Sequence, residues 1–197
     1  MKLFKILFSI TLVILLTAPI SYGGTYKIDP DHSYIGFAVS HMVITKVRGQ
    51  FKSYSGSLIF DKNDLENASI EAVIQTVSID TSVPKRDDHL RSPDFFDAAR
   101  FPTITFKSDR IIANTAGRYT AHGILTIRGV SKNITLPFSI TDKIKDPWGN
   151  TRRGVEASLK LNRIDYGVAW NAKTTEGGLV VGHDVNVELT LEMILQK

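Results

Sequence analysis

From residue 24 onward the chain alternates apolar and polar side chains with a period of two, the signature of strands with one buried face. The last segment shows it best. Val185, Val187, Leu189, Leu191, Met193 and Leu195 point one way, while Asn186, Glu188, Thr190 and Glu192 point the other. Ile134, Leu136, Phe138 and Ile140 alternate in the same manner with polar neighbours, as do Val155, Ala157, Leu159 and Leu161. A helix would scatter these positions around its circumference. Less regular strands are expected where Ile35, Phe37 and Val39 share a face with His41, and from Val47 to Phe60, where Gly56 predicts a bend or bulge. Residues 68–79 place Ile70, Ala72 and Ile74 on one face, and residues 103–112 and 118–129 follow.

The breaks between strands favour antiparallel pairing. Asp146-Pro147-Trp148-Gly149 has the residues of a type I turn and joins the 133–143 and 151–162 runs into a hairpin. Two stretches interrupt the rhythm. Residues 84–98 open on Pro84 with Asp87 and Asp88 early, which predicts helical turns split at Pro93, with Leu90, Phe95 and Phe96 covering one end of the sheet. Residues 163–182 read as one long loop. No repeat or linker appears, so a single all-β domain is expected, with about eight antiparallel strands and a short helical insert. Alternation does not separate a barrel from a sandwich, nor a solid barrel from one holding a small ligand.

Composition narrows the class. The 197 residues are 43% hydrophobic and 22% charged, which excludes disorder and fibrous repeats. Zero cysteines remove disulfides, thiol nucleophiles and cysteine-based metal sites together. The net charge of +4 includes Lys2 and Lys5, which precede the apolar run Ile6–Leu16, Pro19 and Ser21-Tyr22-Gly23. That layout predicts a signal peptide cleaved between Gly23 and Gly24, and the run is short for a membrane span. Beyond it no basic block remains, so no nucleic-acid partner is expected.

Candidate chemistry is sparse. His32, His41, His89, His122 and His183 form no His-x-His or His-x-x-x-His pair, which leaves only a metal site assembled from distant strands. Arg86-Asp87-Asp88-His89 is the densest ionisable cluster, and with no nucleophile motif nearby it reads as helix-end charge pairing rather than general base machinery. Arg163 and Asp165 suggest a paired corner, and Trp148 a turn residue. The residues alone describe an exported β domain that binds apolar molecules or fills its own core.

The order of local motifs adds to this. Tyr26 and Asp29, His32-Ser33, Phe37 and His41, Gly49-x-Phe51, Gly56 and Phe60-Asp61 are followed by Ser78-Ile79-Asp80-Thr81, Arg86-Asp87-Asp88-His89-Leu90 and Asp94-Phe95-Phe96-Asp97. Phe101-Pro102, Phe106-x-Ser108, the Gly123–Val130 run and Arg163-x-Asp165-Tyr166-Gly167 complete the series. Together they resemble the YceI-like family of exported lipocalin-like proteins. The resemblance implies an antiparallel barrel in the periplasm that binds a polyisoprenoid, an isoprenoid quinone tail or a fatty acyl chain as ligand, with no cofactor and no catalytic residue. The expected lining is Phe37, Val39, His41, Phe51, Ile74, Phe95, Phe96, Phe106, Leu125, Leu136, Phe138, Leu159 and Leu189. Ligand exchange implies transient membrane contact, and edge pairing leaves a homodimer open. The competing readings are an enzyme acting on an isoprenoid lipid with His41 as general base, and a filled barrel acting through its surface.

Overall fold

The computed structural model describes residues 23–175 and 177–197; the expected signal peptide, residues 1–23, lies outside them except for its last residue, Gly23. The described chain forms β1 (Gly24–His41), β2 (Thr45–Phe51), β3 (Tyr54–Phe60), β4 (Ser69–Gln75) and the short β5 (Ile79–Asp80). Helix α1 (Pro84–Arg91) leads into β6 (Thr103–Thr115), β7 (Arg118–Ile127), β8 (Val130–Ile140), β9 (Ile144–Lys145), β10 (Thr151–Asn162) and β11 (Val181–Leu195).

All pairings are antiparallel, and β1 against β11 closes the ring. β2 and β3 run end to end beside β1, β2 pairing its upper half and β3 its first residues. The barrel therefore has the eight walls expected, one of them interrupted at Lys52-Ser53. Closure settles the choice between barrel and sandwich, and it removes the free edges that a sandwich leaves. Gly56 does not bend its strand: it pairs with Ala72 in regular register, and a Cβ there would meet the Glu71 carbonyl at 2.8 Å. The glycine serves close approach, while the break falls four residues earlier.

Turn chemistry matches position. Asp146 accepts Gly149 N–H on its carbonyl and the Trp148 and Asn150 N–H groups on Oδ1, the type I turn expected. The β7–β8 hairpin uses the two-residue loop Arg128-Gly129, both at positive φ (49° and 74°), as the twist of paired strands favours.

The two ends of the barrel differ. The lower end is plugged by aromatics: Phe60 meets Tyr119 edge-on at 5.0 Å, and Tyr119 stacks on Phe138 at 5.6 Å. Arg153 lies over the Tyr26 and Phe60 rings, its Nε donating to the Tyr26 hydroxyl. The upper end is covered by α1 with the turns after it and by the 163–180 loop. Helix α1 stops before Pro93, as expected.

One wall is incomplete. β10 pairs with β8 only from Val155–Ile140 to Ala157–Phe138, although β8 is fully paired with β7 and β10 with β11. Above that point the two strands part, leaving a slot between residues 130–137 and 158–162.

Candidate functional site

The inward face of every wall contributes to one space of about 240 Å³ beneath the lid, with apolar walls. The alternation that makes the strands also makes this lining, because a closed barrel collects one face of every strand. β1 supplies Phe37 and Val39, β2 Phe51, β4 Ile74, β6 Phe106 and β7 Leu125. β8 supplies Leu136 and Phe138, β10 Leu159 and β11 Leu189, while Phe95 and Phe96 close the roof. The space favours a ligand-holding barrel over the filled-barrel alternative.

The roof is an aromatic layer. Phe37 contacts Phe51 at 5.9 Å and Phe51 contacts Phe96 at 6.1 Å between ring centroids. Above them Trp170, from the 163–180 loop, packs against Phe95 at 5.2 Å and His89 at 4.9 Å. Gly49 permits the arrangement: a Cβ there would stand 2.5 Å from the Phe37 ring. Arg128 joins the two roof segments, one guanidinium nitrogen donating to the Pro93 carbonyl (2.7 Å) and the other to that of Gly167.

His41 is the one expected lining residue that does not line the cavity. Between Val39 and His41 the β1–β11 register shifts: Val39 pairs with Val185, but His41 pairs with Val181. The extra residues on β11 end the wall at Val39 and carry His41 past it to the rim. The geometry thus places His41 at the rim of the space rather than in its wall, and among the lining residues only Arg163 and Tyr166 carry polar side chains.

Arg163 does not pair with Asp165. Its guanidinium is buried and donates to the carbonyls of Val168 (2.6 Å), Trp170 (2.8 Å), Gly182 (2.8 Å) and Val181 (3.2 Å), tying the roof loop to β11. Burial pushes its pKa down without making it a proton source at neutral pH. The Arg86–His89 cluster is structural, as expected. Buried Asp87 accepts from the Thr81 N–H (2.8 Å) and hydroxyl, Arg86 donates to Thr81, and His89 meets Asp94 at 2.8 Å.

Asp29, His32 and Glu192 bring three ligand-type atoms within 4.8 Å of one another on the outer wall. Arg152 sits among them, donating to Asp29, Glu192 and Asp146. Its guanidinium occupies the carboxylates and opposes a cation.

Sequence reasoning missed Trp170 and Arg128, whose roles depend on loops packing together and leave no periodic signal. It named the faces of Val155, Leu161, Val185 and Val187, which also line the space, without selecting them as site residues.

Comparison with known proteins agrees with this geometry. The family model described as a YceI-like domain matches residues 26–193. A UPF0312 protein of Yersinia enterocolitica is 34% identical over 186 residues, covering 93% of each chain. One from Vibrio parahaemolyticus is 33% identical over 167 residues, 83% of this chain and 88% of the relative. Among solved structures, a Campylobacter jejuni YceI protein superposes with a TM-score of 0.69 at 25% identity, covering 96% of this chain and all of that one. BcnA of Burkholderia cenocepacia gives 0.72 at 22% identity, over 84% and 98% of the two chains. A polyisoprenoid binding domain from Saccharophagus degradans shares the fold, with a TM-score of 0.65 at 16% identity over 87% and 98%.

Proposed function

Because this chain belongs to the YceI-like domain family, we propose that it is an exported periplasmic binding protein that holds a long apolar chain inside its barrel, for transport or storage. The ligand class is a polyisoprenoid, an isoprenoid quinone or a fatty acyl or amide chain. The observation that carries this reading is the apolar space of about 240 Å³ inside the barrel, roofed by aromatics. A solved protein of the same fold is described as polyisoprenoid-binding, which supports the choice of ligand class.

The energetics suit a chain rather than a compact polar ligand. Each buried methylene gains about 0.8 kcal/mol, and no carboxylate or imidazole in the lining would demand a polar partner. Ligand pockets commonly measure about 300–1,000 Å³, so this space accepts a segment of a long chain. The slot between β8 and β10, flanked by Ile134, Leu136, Leu159 and Leu161, offers the remainder a path. Discrimination between chain lengths is then weak, since one methylene decides little.

The test is mass spectrometry of an organic extract of protein taken from the periplasm without detergent. A stoichiometric isoprenoid or acyl species is expected. A clean extract that stays clean after incubation with long-chain lipids would overturn the reading.

A further inference from the structure

The β1–β2 hairpin turns at the rim of the cavity, where Val39 and Val181 end the wall. Its tip is built against the usual rules for a soluble surface. Val43 is 84% exposed and Ile44 80%, and Met42 beside them is also exposed. The neighbouring roof loop extends the patch with Leu179. Met42 N–H donates to the Val180 carbonyl (2.9 Å), and Val180 N–H to that of Ala172 (3.0 Å), so the turn and the loop form one knuckle.

The backbone makes the choice of residues more informative. Met42 and Val43 lie at φ 49° and 65°, the left-handed pair of positions that Asn-Gly fills at little cost. A β-branched residue there is an outlier. Neither packing nor turn chemistry favours Met-Val-Ile at this site, so its apolar character answers to something outside the fold.

Charge identifies that partner. Lys46 and Arg48 follow on β2, both exposed, and neither enters any ion pair among the described residues. Glu156 and Glu188 line the same surface groove, but neither comes within ion-pair distance of them. An apolar tip above basic side chains that enter no direct ion pair matches a bilayer bearing anionic headgroups.

We propose that the Met42–Ile44 turn, with Lys46 and Arg48, is the surface by which this protein docks on an anionic phospholipid bilayer. The tip enters the acyl boundary and the basic side chains meet the headgroups. The inference rests on the cavity being a lipid-chain site and adds where a chain is handed over: His41, the residue before the turn, pairs with the rim residue Val181.

The experiment is co-sedimentation of the periplasmic protein with vesicles of phosphatidylethanolamine and phosphatidylglycerol, against vesicles of phosphatidylcholine alone. Binding to the first, weakened by salt, is expected. Val43→Ser with Ile44→Ser should weaken it by at least about tenfold, and Lys46→Gln and Arg48→Gln by about fivefold for each charge. All variants should still take up an apolar dye from solution, which reports both folding and the cavity. Val43→Trp supplies an independent reading: its emission should shift to the blue on anionic vesicles and be quenched by brominated acyl chains. Wild-type protein that ignores anionic vesicles, tip variants that bind as well as wild type, or a dimer that the tip variants dissolve would each overturn the proposal. Vesicle binding that persists while dye uptake is absent would sink the cavity reading and leave the docking surface standing.

Discussion

Three carboxylates converge on Arg152, and their balance makes this residue the acid-sensitive point of the barrel wall. Burial raises the Asp146 carboxyl, but Arg152 and the N–H groups of Asn150 and Trp148 outweigh it and hold the pKa at about 2. Asp29 is lowered as well, chiefly by Arg152. An unfolded chain takes up protons first as pH falls, since its aspartates titrate near about 3.9. The stabilisation is therefore complete above pH ~4 and lost toward pH ~2. Arg152→Gln should flatten the fall of stability in that window, measured by urea denaturation at stepped pH, and an unchanged slope would refute the assignment. At the hairpin tip the expected change has the opposite sign. Replacing Met42-Val43 by Asn-Gly relieves left-handed strain and should stabilise by roughly 1 kcal/mol net, or about 2–4 °C in Tm. The same variant should lose vesicle binding, so that stability and docking separate in one protein.

The elements that matter most are those that meet at the roof. Arg128 sits on a two-residue hairpin loop, yet its side chain reaches carbonyls of both the segment after α1 and the 163–180 loop. Arg128→Ala should cost about 1–3 kcal/mol, since two charged hydrogen bonds are lost and carbonyls are left unpaired. It should also speed dye release in a stopped-flow displacement assay. Release at the wild-type rate would mean that ligands leave by the slot instead. Element boundaries were legible where chemistry is local: β10 spans 151–162 as expected, and α1 stops ahead of Pro93. The misplaced bend at Gly56 shows the limit of such reasoning. A strand glycine signals either a bulge or a close approach, and only the neighbouring β4 backbone, invisible from within β3, decides between them.

For the molecule as a whole, the consequence of a hollow barrel is that filling it should block binding without unfolding it. Ala157 lies on β10 with its side chain toward the space. Ala157→Phe should reduce uptake of an apolar chain by about tenfold or more while Tm stays within a few degrees, because added volume enters a void rather than packed atoms. In the wild type, ligand at about a hundred times Kd should add roughly 2.7 kcal/mol of stability, and in the variant almost none. Differential scanning calorimetry with and without ligand reads both, and equal ligand-induced shifts in the two proteins would place the binding site elsewhere.

The sequence by itself determined the strands, their inward faces, the turns and the helical roof, because each depends on residues within a few positions of one another. The ordered motifs pointed to the family, and with it to a barrel. Closure itself joins β1 to β11 from opposite ends of the described chain, and no local period records it. Whether the inward faces meet in a solid core or stand apart depends on the sum of side-chain volumes around the ring, which leaves the apolar pattern unchanged. The same holds for single residues. His41 continues the alternation of Ile35, Phe37 and Val39, but a register shift against β11 carries it to the rim. Arg163 stands two residues from Asp165, yet four carbonyls, two from the folded loop and two from the start of β11, claim it. Period and turn chemistry act along the chain; register, cavity and partner choice are decided between segments that meet only when the barrel closes.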